Sequence, residues 1–171
     1  MLTAQRLARW RVPLGWLAGV AALVLARPTW NSWYAGFAVA LIGEGIRVWA
    51  AGHLEKSREV TTSGPYRWMR HPLYVGSTVL ALGVVIAVHS YVVGALAALY
   101  LGTTIWAAIR TEEAFLRRTF GDDYDRYARA EHGGAVRRFS LERAVRNKEY
   151  RAVLGMLAGF GLLALRVQVL L

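Results

Sequence analysis

Residues 63–76 read S-G-P-Y-R-W-M-R-H-P-L-Y-V-G and connect two long apolar segments. This short connection contains three arginine or histidine residues in addition to two tyrosines and a tryptophan. Pro65 and Pro72 are turn and helix-boundary signals, and Pro72 suits the first turn of the following helix, where a missing N–H costs nothing. A basic loop with interfacial aromatic residues is the simpler interpretation. A plain loop between membrane helices has little need of so many arginine, histidine and aromatic side chains. The stretch therefore predicts a connection that contributes to a functional site.

The composition indicates a membrane protein with a basic face. The 171 residues are 56% hydrophobic and have a mean hydropathy of +0.31, whereas soluble domains are about 45–50% apolar. The formal net charge is +10, from 21 Lys+Arg against 11 Asp+Glu. Because these charges sit beside apolar runs, we expect no nucleic-acid partner. There are no cysteines and the four histidines are scattered, so the sequence predicts no metal site.

The apolar runs predict an all-α, polytopic integral membrane helical bundle that forms a single domain over 1–171. About five transmembrane helices are expected, over 12–26, 30–51, 73–88, 91–109 and 152–171. The N-terminal tail, the loop after the second span and the connector 110–151 are all basic. The positive-inside bias therefore predicts that these segments are cytosolic, and we expect a bacterial inner-membrane protein. Because Arg166 interrupts the last run, the sequence leaves open whether that run spans the bilayer or lies partly in the interface.

Local signals predict where some helices end or pack. Gly121 is predicted to interrupt a helix in the connector, with Asp122 or Asp123 capping the next turn. Two G-x-x-x-G pairs, at 15–19 and 155–159, would permit close packing of the first and last spans.

Glu44 and Arg47 fall inside the second predicted span. Ionisable residues inside a membrane helix are costly and usually face a partner or a water-filled site. The two residues are three apart and can pair on one helix face. Gly43 and Gly45 leave the backbone around Glu44 open to a ligand. A functional pair and a snorkelling interfacial pair with packing glycines are both consistent with this pattern.

The predicted topology brings two polar segments to the same membrane face. A two-residue connection forces the third and fourth spans into an antiparallel hairpin. We therefore expect His71 and Tyr74 to come within reach of Arg110, Glu112 and Glu113. Taken alone, the two glutamates fit the acidic first turn of a separate cytosolic helix.

Two motifs together resemble a known group of proteins. G-P-Y-R-W-M-R-H-P-L-Y-V-G, followed about forty residues later by R-T-E-E-A-F-L-R-R-T-F-G-D-D-Y-D-R-Y, closely resembles the isoprenylcysteine carboxyl methyltransferase and phospholipid methyltransferase families. The preceding G-E-G-I-R-V-W-A-A-G-H is similar to the G-x-G element of the phospholipid N-methyltransferases. The resemblance covers roughly residues 43–138. One departure concerns the end of the connector: these families often have a proline after R-F-L, whereas here Arg138-Phe139 lead to Ser140-Leu141.

The resemblance implies an integral membrane enzyme that transfers a methyl group from S-adenosylmethionine, bound at the cytosolic face, to a lipophilic acceptor. That acceptor would be a lipid amine head group or an isoprenoid-linked carboxylate. The implied cofactor-binding residues are Gly43, Gly45, Tyr66, His71, Pro72, Tyr74, Glu112 and Glu113. The implied catalytic residues are Arg70, His71, Arg110 and Glu44. An amine acceptor must lose a proton, for which His53, His71 or Glu44 would be the base, whereas a carboxylate acceptor needs none.

Two other functions are consistent with the sequence. One is a membrane reductase of the steroid-reductase kind, which uses NADPH on a related helical scaffold. The other is a non-catalytic protein whose basic connector binds anionic lipid or a partner. The second predicts that His71→Ala leaves function intact, whereas charge reversal of Arg137 and Arg138 abolishes it.

Overall fold

The computed structural model describes residues 19–20, 22–131 and 137–170, which form helices joined by short connections. The elements are α1 (Trp30–Ala51), a short 3-10 helix (Gly64–Arg67), α2 (Pro72–Val88), α3 (Tyr91–Phe120), α4 (Asp122–Ala128), α5 (Leu141–Arg146) and α6 (Tyr150–Leu170). Residues 22–25 are also helical, whereas most of the predicted first span lies outside the described residues. The predicted all-α fold is confirmed for the part of the chain that the structure describes.

Three of the described helices, α1, α3 and α6, are long and apolar enough to cross a membrane. The apolar helix α2 is shorter, with 17 residues. At 1.5 Å per residue it is about 26 Å long, close to the ~30 Å of a hydrocarbon core. These lengths and compositions support an integral membrane bundle.

Helices α1 and α2 contact each other through two pairs of glycines. A Cβ atom added to Gly36 would lie 2.4 Å from the carbonyl oxygen of Gly83, and one added to Gly43 would lie 2.7 Å from that of Gly76. The reversed order of the partners shows that the helices are antiparallel. The glycines are seven residues apart in each helix, so both fall on the same face. Small residues let membrane helices approach closely, and these pairs bring the two backbones together.

Helix α6 packs against α1 through aromatic side chains. The buried Phe160 ring has its centroid 5.1 Å from that of Phe37 and 5.8 Å from that of Trp33. The indole N–H of Trp33 donates to the carbonyl oxygen of Phe160 at 2.9 Å. Cβ atoms added to Gly155 and Gly159 would meet no described atom within 4 Å. The described contact of α6 with α1 is made by large side chains on another face. Packing of this glycine pair against the first span, most of which lies outside the described residues, stays a prediction.

Helix α3 continues to Phe120 rather than ending near Ile109. Residues 110–120 contain neither glycine nor proline and are rich in good helix formers. The backbone therefore stays helical after the sequence turns polar. Glu112 and Glu113 lie well inside this helix, so the interpretation of the pair as the first turn of a separate helix is wrong.

Gly121 ends α3 as predicted, with φ of 50°. A positive φ favours glycine because a Cβ atom would clash there. Gly121 also occupies the N-cap position of α4, and no side chain caps that helix. Asp122 and Asp123 lie in its first turn instead, so the predicted aspartate cap is wrong.

The connector is held against the loop after α1 by charged side chains. Glu55 accepts hydrogen bonds from Arg143 Nε at 2.8 Å and Arg146 Nη2 at 2.9 Å, and Arg137 Nη1 lies 3.2 Å from the same carboxylate. The hydrogen bond from Arg143 and the nearby arginine charges hold the pKa of Glu55 below its usual value. The side-chain amide of Asn147 donates to the carbonyl of Ala51 at the end of α1 and to that of Leu54 in the following loop, both at 2.9 Å. These contacts position the start of α6 beside the end of α1.

The residues that depart from the family pattern also contact this loop. The backbone N–H of Ser140 donates to the carbonyl oxygen of Gly52 at 3.1 Å. The Ser140 side chain caps α5, and the Phe139 ring fills the space beside Gly52. The connector therefore closes against the loop without a proline.

Candidate active site

A histidine and an arginine at the start of α2 meet two glutamates on α3. Nε2 of His71 lies 3.2 Å from Oε1 of Glu113, and Nη1 of Arg70 lies 3.3 Å from the same oxygen. Nδ1 of His71 is 4.0 Å from Oε2 of Glu112. The antiparallel α2–α3 hairpin thus brings together residues that are about forty positions apart in the sequence.

The two carboxylates differ in how much of each is available to a ligand. The side chain of Glu113 is 17% exposed and contacts both Arg70 and His71, whereas that of Glu112 is 43% exposed. Charge-assisted hydrogen bonds fix the position of Glu113. Glu113 therefore orients the histidine, and Glu112 presents a more accessible carboxylate.

Tyr66 forms the buried side of this site. Its backbone carbonyl accepts a hydrogen bond from the Tyr127 hydroxyl at 2.9 Å. Burial raises the pKa of the Tyr66 phenol, and the nearby carboxylates of Glu112 and Glu149 act in the same direction. Burial also raises the pKa of Tyr127 to about 12. Both phenols therefore stay neutral at physiological pH.

Two other predicted residues lie beside His71. The Tyr74 ring centroid is 5.8 Å from that of His71. Pro72 is fully buried at the start of α2, where it fixes the backbone direction after the histidine.

A second charged group lies where α1, α2 and the start of α6 meet. Nε of Arg47 is 3.6 Å from Oε2 of Glu44, and its Nη2 is 2.6 Å from Oε1 of Glu149. Arg47 also donates to the Ser77 hydroxyl. We call these four residues the Arg47 cluster. The side chain of Glu44 is only 5% exposed, and neither carboxylate oxygen accepts a hydrogen bond from a described residue.

Sequence reasoning missed Glu149. The only available signal was an acidic residue directly before the last apolar run of a basic protein. Its contact with Arg47 joins residues about one hundred positions apart, which no local pattern reveals.

The two glycines beside Glu44 have different surroundings. A Cβ atom on Gly43 would lie 2.3 Å from the backbone nitrogen of Leu80, so α2 already fills that space. A Cβ atom on Gly45 would meet no described atom within 4 Å. Gly43 therefore allows the close contact between α1 and α2, whereas the space beside Gly45 is open.

Arg110 does not join the cluster of His71 and the two glutamates. Its side chain is exposed, and its guanidinium carbon lies 5.4 Å from the Trp106 ring centroid, one turn earlier on α3. Helical side chains point towards the N-terminus, which carries this arginine away from Glu113. No ion pair links Arg110 to another described residue.

His53, a candidate base, is enclosed by the loop. Its Nδ1 lies 2.9 Å from the carbonyl oxygen of Trp49, and its ring occupies the space beside Gly64. This packing explains the buried histidine without a catalytic role.

Comparison with known proteins finds one family model and several curated relatives. The phospholipid methyltransferase family model matches residues 40–123. The nickel-cobalt-cadmium resistance protein NccN of Alcaligenes xylosoxydans xylosoxydans is 33% identical over 137 residues, which are 75% of this chain and 63% of that protein. A probable protein-S-isoprenylcysteine O-methyltransferase of Oryza sativa subsp. indica is 34% identical over 117 residues, 61% of each chain. The protein-S-isoprenylcysteine O-methyltransferase of Schizosaccharomyces pombe is 34% identical over 90 residues, 53% of this chain and 38% of that protein.

No solved structure matches the chain. The chain spans less than two thirds of the length of these curated relatives. The fold and the site define a helical membrane protein with a histidine–carboxylate cluster at one end of the bundle. The family model and the isoprenylcysteine methyltransferase relatives confirm the resemblance of the motifs to the isoprenylcysteine carboxyl methyltransferase and phospholipid methyltransferase families.

Proposed function

We propose that this protein is an integral membrane methyltransferase that moves a methyl group from S-adenosylmethionine to a lipophilic acceptor. The observation that carries the proposal is the meeting of Arg70 and His71 with Glu112 and Glu113. All four residues lie within the stretch matched by the phospholipid methyltransferase family model.

The side chains at this site fit the charged groups of S-adenosylmethionine. The accessible Glu112 carboxylate suits the cofactor's ammonium group or its ribose hydroxyls. Arg70 is half-exposed and contacts Glu113 through one terminal nitrogen, which leaves other N–H groups to bind the cofactor's carboxylate. The Tyr74 ring offers a face for the sulfonium, at ~0.5–2 kcal/mol for a cation–π contact. When bound, the cofactor supplies the electrophilic methyl group.

The protein's main contribution would be to align donor and acceptor away from water. Such alignment lowers a barrier by ~7–11 kcal/mol. The site is built on the ends of membrane helices, so a lipophilic acceptor would enter laterally from the bilayer. The basic loop and connector favour a cytosolic site, from which the cofactor would enter.

Ligand-induced stabilisation of the detergent-purified protein tests this function. S-adenosylhomocysteine at 100 times its dissociation constant should stabilise the protein by ~2.7 kcal/mol. The Glu112→Gln variant should show a much smaller effect. The matched control Glu131→Gln, which changes an exposed glutamate paired with Arg129, should respond like the wild type.

NADPH is the comparison ligand. Stabilisation by NADPH alone would replace the methyltransferase with the reductase. A folded sample that responds to neither ligand would count against both enzymes and favour the lipid-binding function.

A further inference from the structure

The Arg47 cluster has one positive charge for two carboxylates. Within the described part of the chain, Arg47 is the only cation in ion-pair contact with Glu44 or Glu149. The three charged side chains, those of Arg47, Glu44 and Glu149, therefore carry a formal charge of −1 when both glutamates are ionised. A cation or a proton is needed to balance the group.

Burial makes that imbalance costly. The side chains of Glu44 and Glu149 are 5% and 8% exposed. A buried carboxylate is stable only when it is paired and hydrogen-bonded, and otherwise it takes up a proton. Both oxygens of Glu44 lack a described hydrogen-bond donor, so this carboxylate can accept hydrogen bonds from a ligand.

The cluster adjoins the candidate active site on its membrane side. Glu149 is close enough to Tyr66 to affect the same phenol as Glu112. Ser77 lies one turn after Tyr74 on α2 and contacts Arg47. Glu44 is seven residues before the end of α1, about 10 Å along the helix axis. The Arg47 side chain is 21% exposed, so one edge of the cluster lies at the protein surface.

We propose that the Arg47 cluster binds the ammonium group of the methyl acceptor, with Glu44 and Glu149 as its ligands. This rests on the proposed function and makes the acceptor a lipophilic amine. An ammonium group would balance the charge and supply hydrogen bonds to the Glu44 oxygens. A carboxylate acceptor would instead bring a third negative charge next to two buried ones. Glu44 also provides the carboxylate that takes up the proton an ammonium must lose before alkylation.

Long-chain probes of opposite charge test the assignment. The purified protein, in nanodiscs of phosphatidylcholine, is heated with dodecylamine or with dodecanoate, each in the presence and absence of S-adenosylhomocysteine. We expect dodecylamine to raise the unfolding temperature at concentrations where dodecanoate has no effect. Equal or greater stabilisation by dodecanoate would overturn the proposal.

Glutamine variants locate the binding site. Glu149→Gln should weaken dodecylamine binding at least about tenfold, the effect of losing one charge-assisted contact. Glu142→Gln changes an exposed glutamate on the nearby helix α5 and should bind like the wild type. Because Glu149→Gln removes the partner of Arg47, Glu44→Gln is the second variant, which keeps that ion pair. Cooperative thermal unfolding followed by circular dichroism shows that each variant is folded, and normal dodecylamine binding in both folded variants would refute the site.

The two proposals fail separately. If S-adenosylhomocysteine stabilises the wild type and dodecylamine does not, only the amine site is wrong. If dodecylamine stabilises the wild type through Glu44 and Glu149 and S-adenosylhomocysteine does not, the methyltransferase is wrong and the cation site stands.

Discussion

The glycine contact between α1 and α2 predicts that adding a single methyl group at this contact lowers the stability of the protein. In Gly83→Ala, the new Cβ atom would lie 2.5 Å from both the Ala40 nitrogen and the Gly36 carbonyl oxygen. Ordinary Cβ contacts begin at 3.4 Å, so the helices must separate by about 0.9 Å. The atoms in the way belong to the backbone and have no rotamer to change. Overpacking of this kind costs ~1–3 kcal/mol.

Gly155→Ala is the matched control, because it adds the same methyl group where no described atom lies within 4 Å. Alanine also favours a helix over glycine by ~0.5–1 kcal/mol in either position. The difference between the variants therefore isolates the helix contact. Reversible unfolding in mixed micelles with increasing dodecyl sulfate, followed by circular dichroism, should show Gly83→Ala to be less stable by ~1–3 kcal/mol. Equal stability of the two variants would refute the close contact.

Three further substitutions test the site and the connector. Glu113→Gln should reduce the affinity for S-adenosylhomocysteine about tenfold, because an amide forms no ion pair with Arg70 or His71. If calorimetry shows an unchanged affinity, Glu113 has no role in cofactor binding. Tyr127→Phe should lower stability by ~0.5–1.5 kcal/mol through loss of its hydrogen bond to the Tyr66 carbonyl. A variant with the same unfolding temperature as the wild type would contradict this contact. The lowered pKa of Glu55 means that its contribution to stability is complete above the unfolded pKa of about 4.3 and is lost as pH falls through the folded pKa. The gap in unfolding temperature between wild type and Glu55→Gln should therefore narrow as the pH is lowered from about 7 towards 3, and a gap that does not change with pH would disprove the linkage.

The sequence was most informative where local chemistry decides the structure. Thr29 and Ser32 form a capping box at the start of α1 and Gly52 is its C-cap, so the helix covers the same residues as the predicted second span. The two-residue connection between α2 and α3 was enough to bring His71 next to Glu113. The length of an apolar run and the position of turn residues determine these features locally, with little influence from the rest of the molecule.

Other features depend on contacts that no local pattern records. The sequence becomes polar at Arg110, yet helix propensity does not distinguish polar from apolar helix formers, so α3 continues. Glycine spacing alone does not reveal which helix face meets a neighbour, so the sequence does not single out the seven-residue pairs of α1 and α2. The contact of Glu149 with Arg47 arises only after the connector has returned the chain to α1.

The unbroken backbone of α3 links the candidate site to bilayer thickness. Its 30 residues measure about 45 Å, longer than a hydrocarbon core of ~30 Å. Glu112 lies about 32 Å from the start of the helix, close to the depth at which lipid tails give way to head groups. A helix adapts to a thinner or thicker membrane by tilting rather than by changing its length. Lipid chain length should therefore set the height of the carboxylates relative to the head groups, and with it the depth at which a membrane-borne molecule meets them.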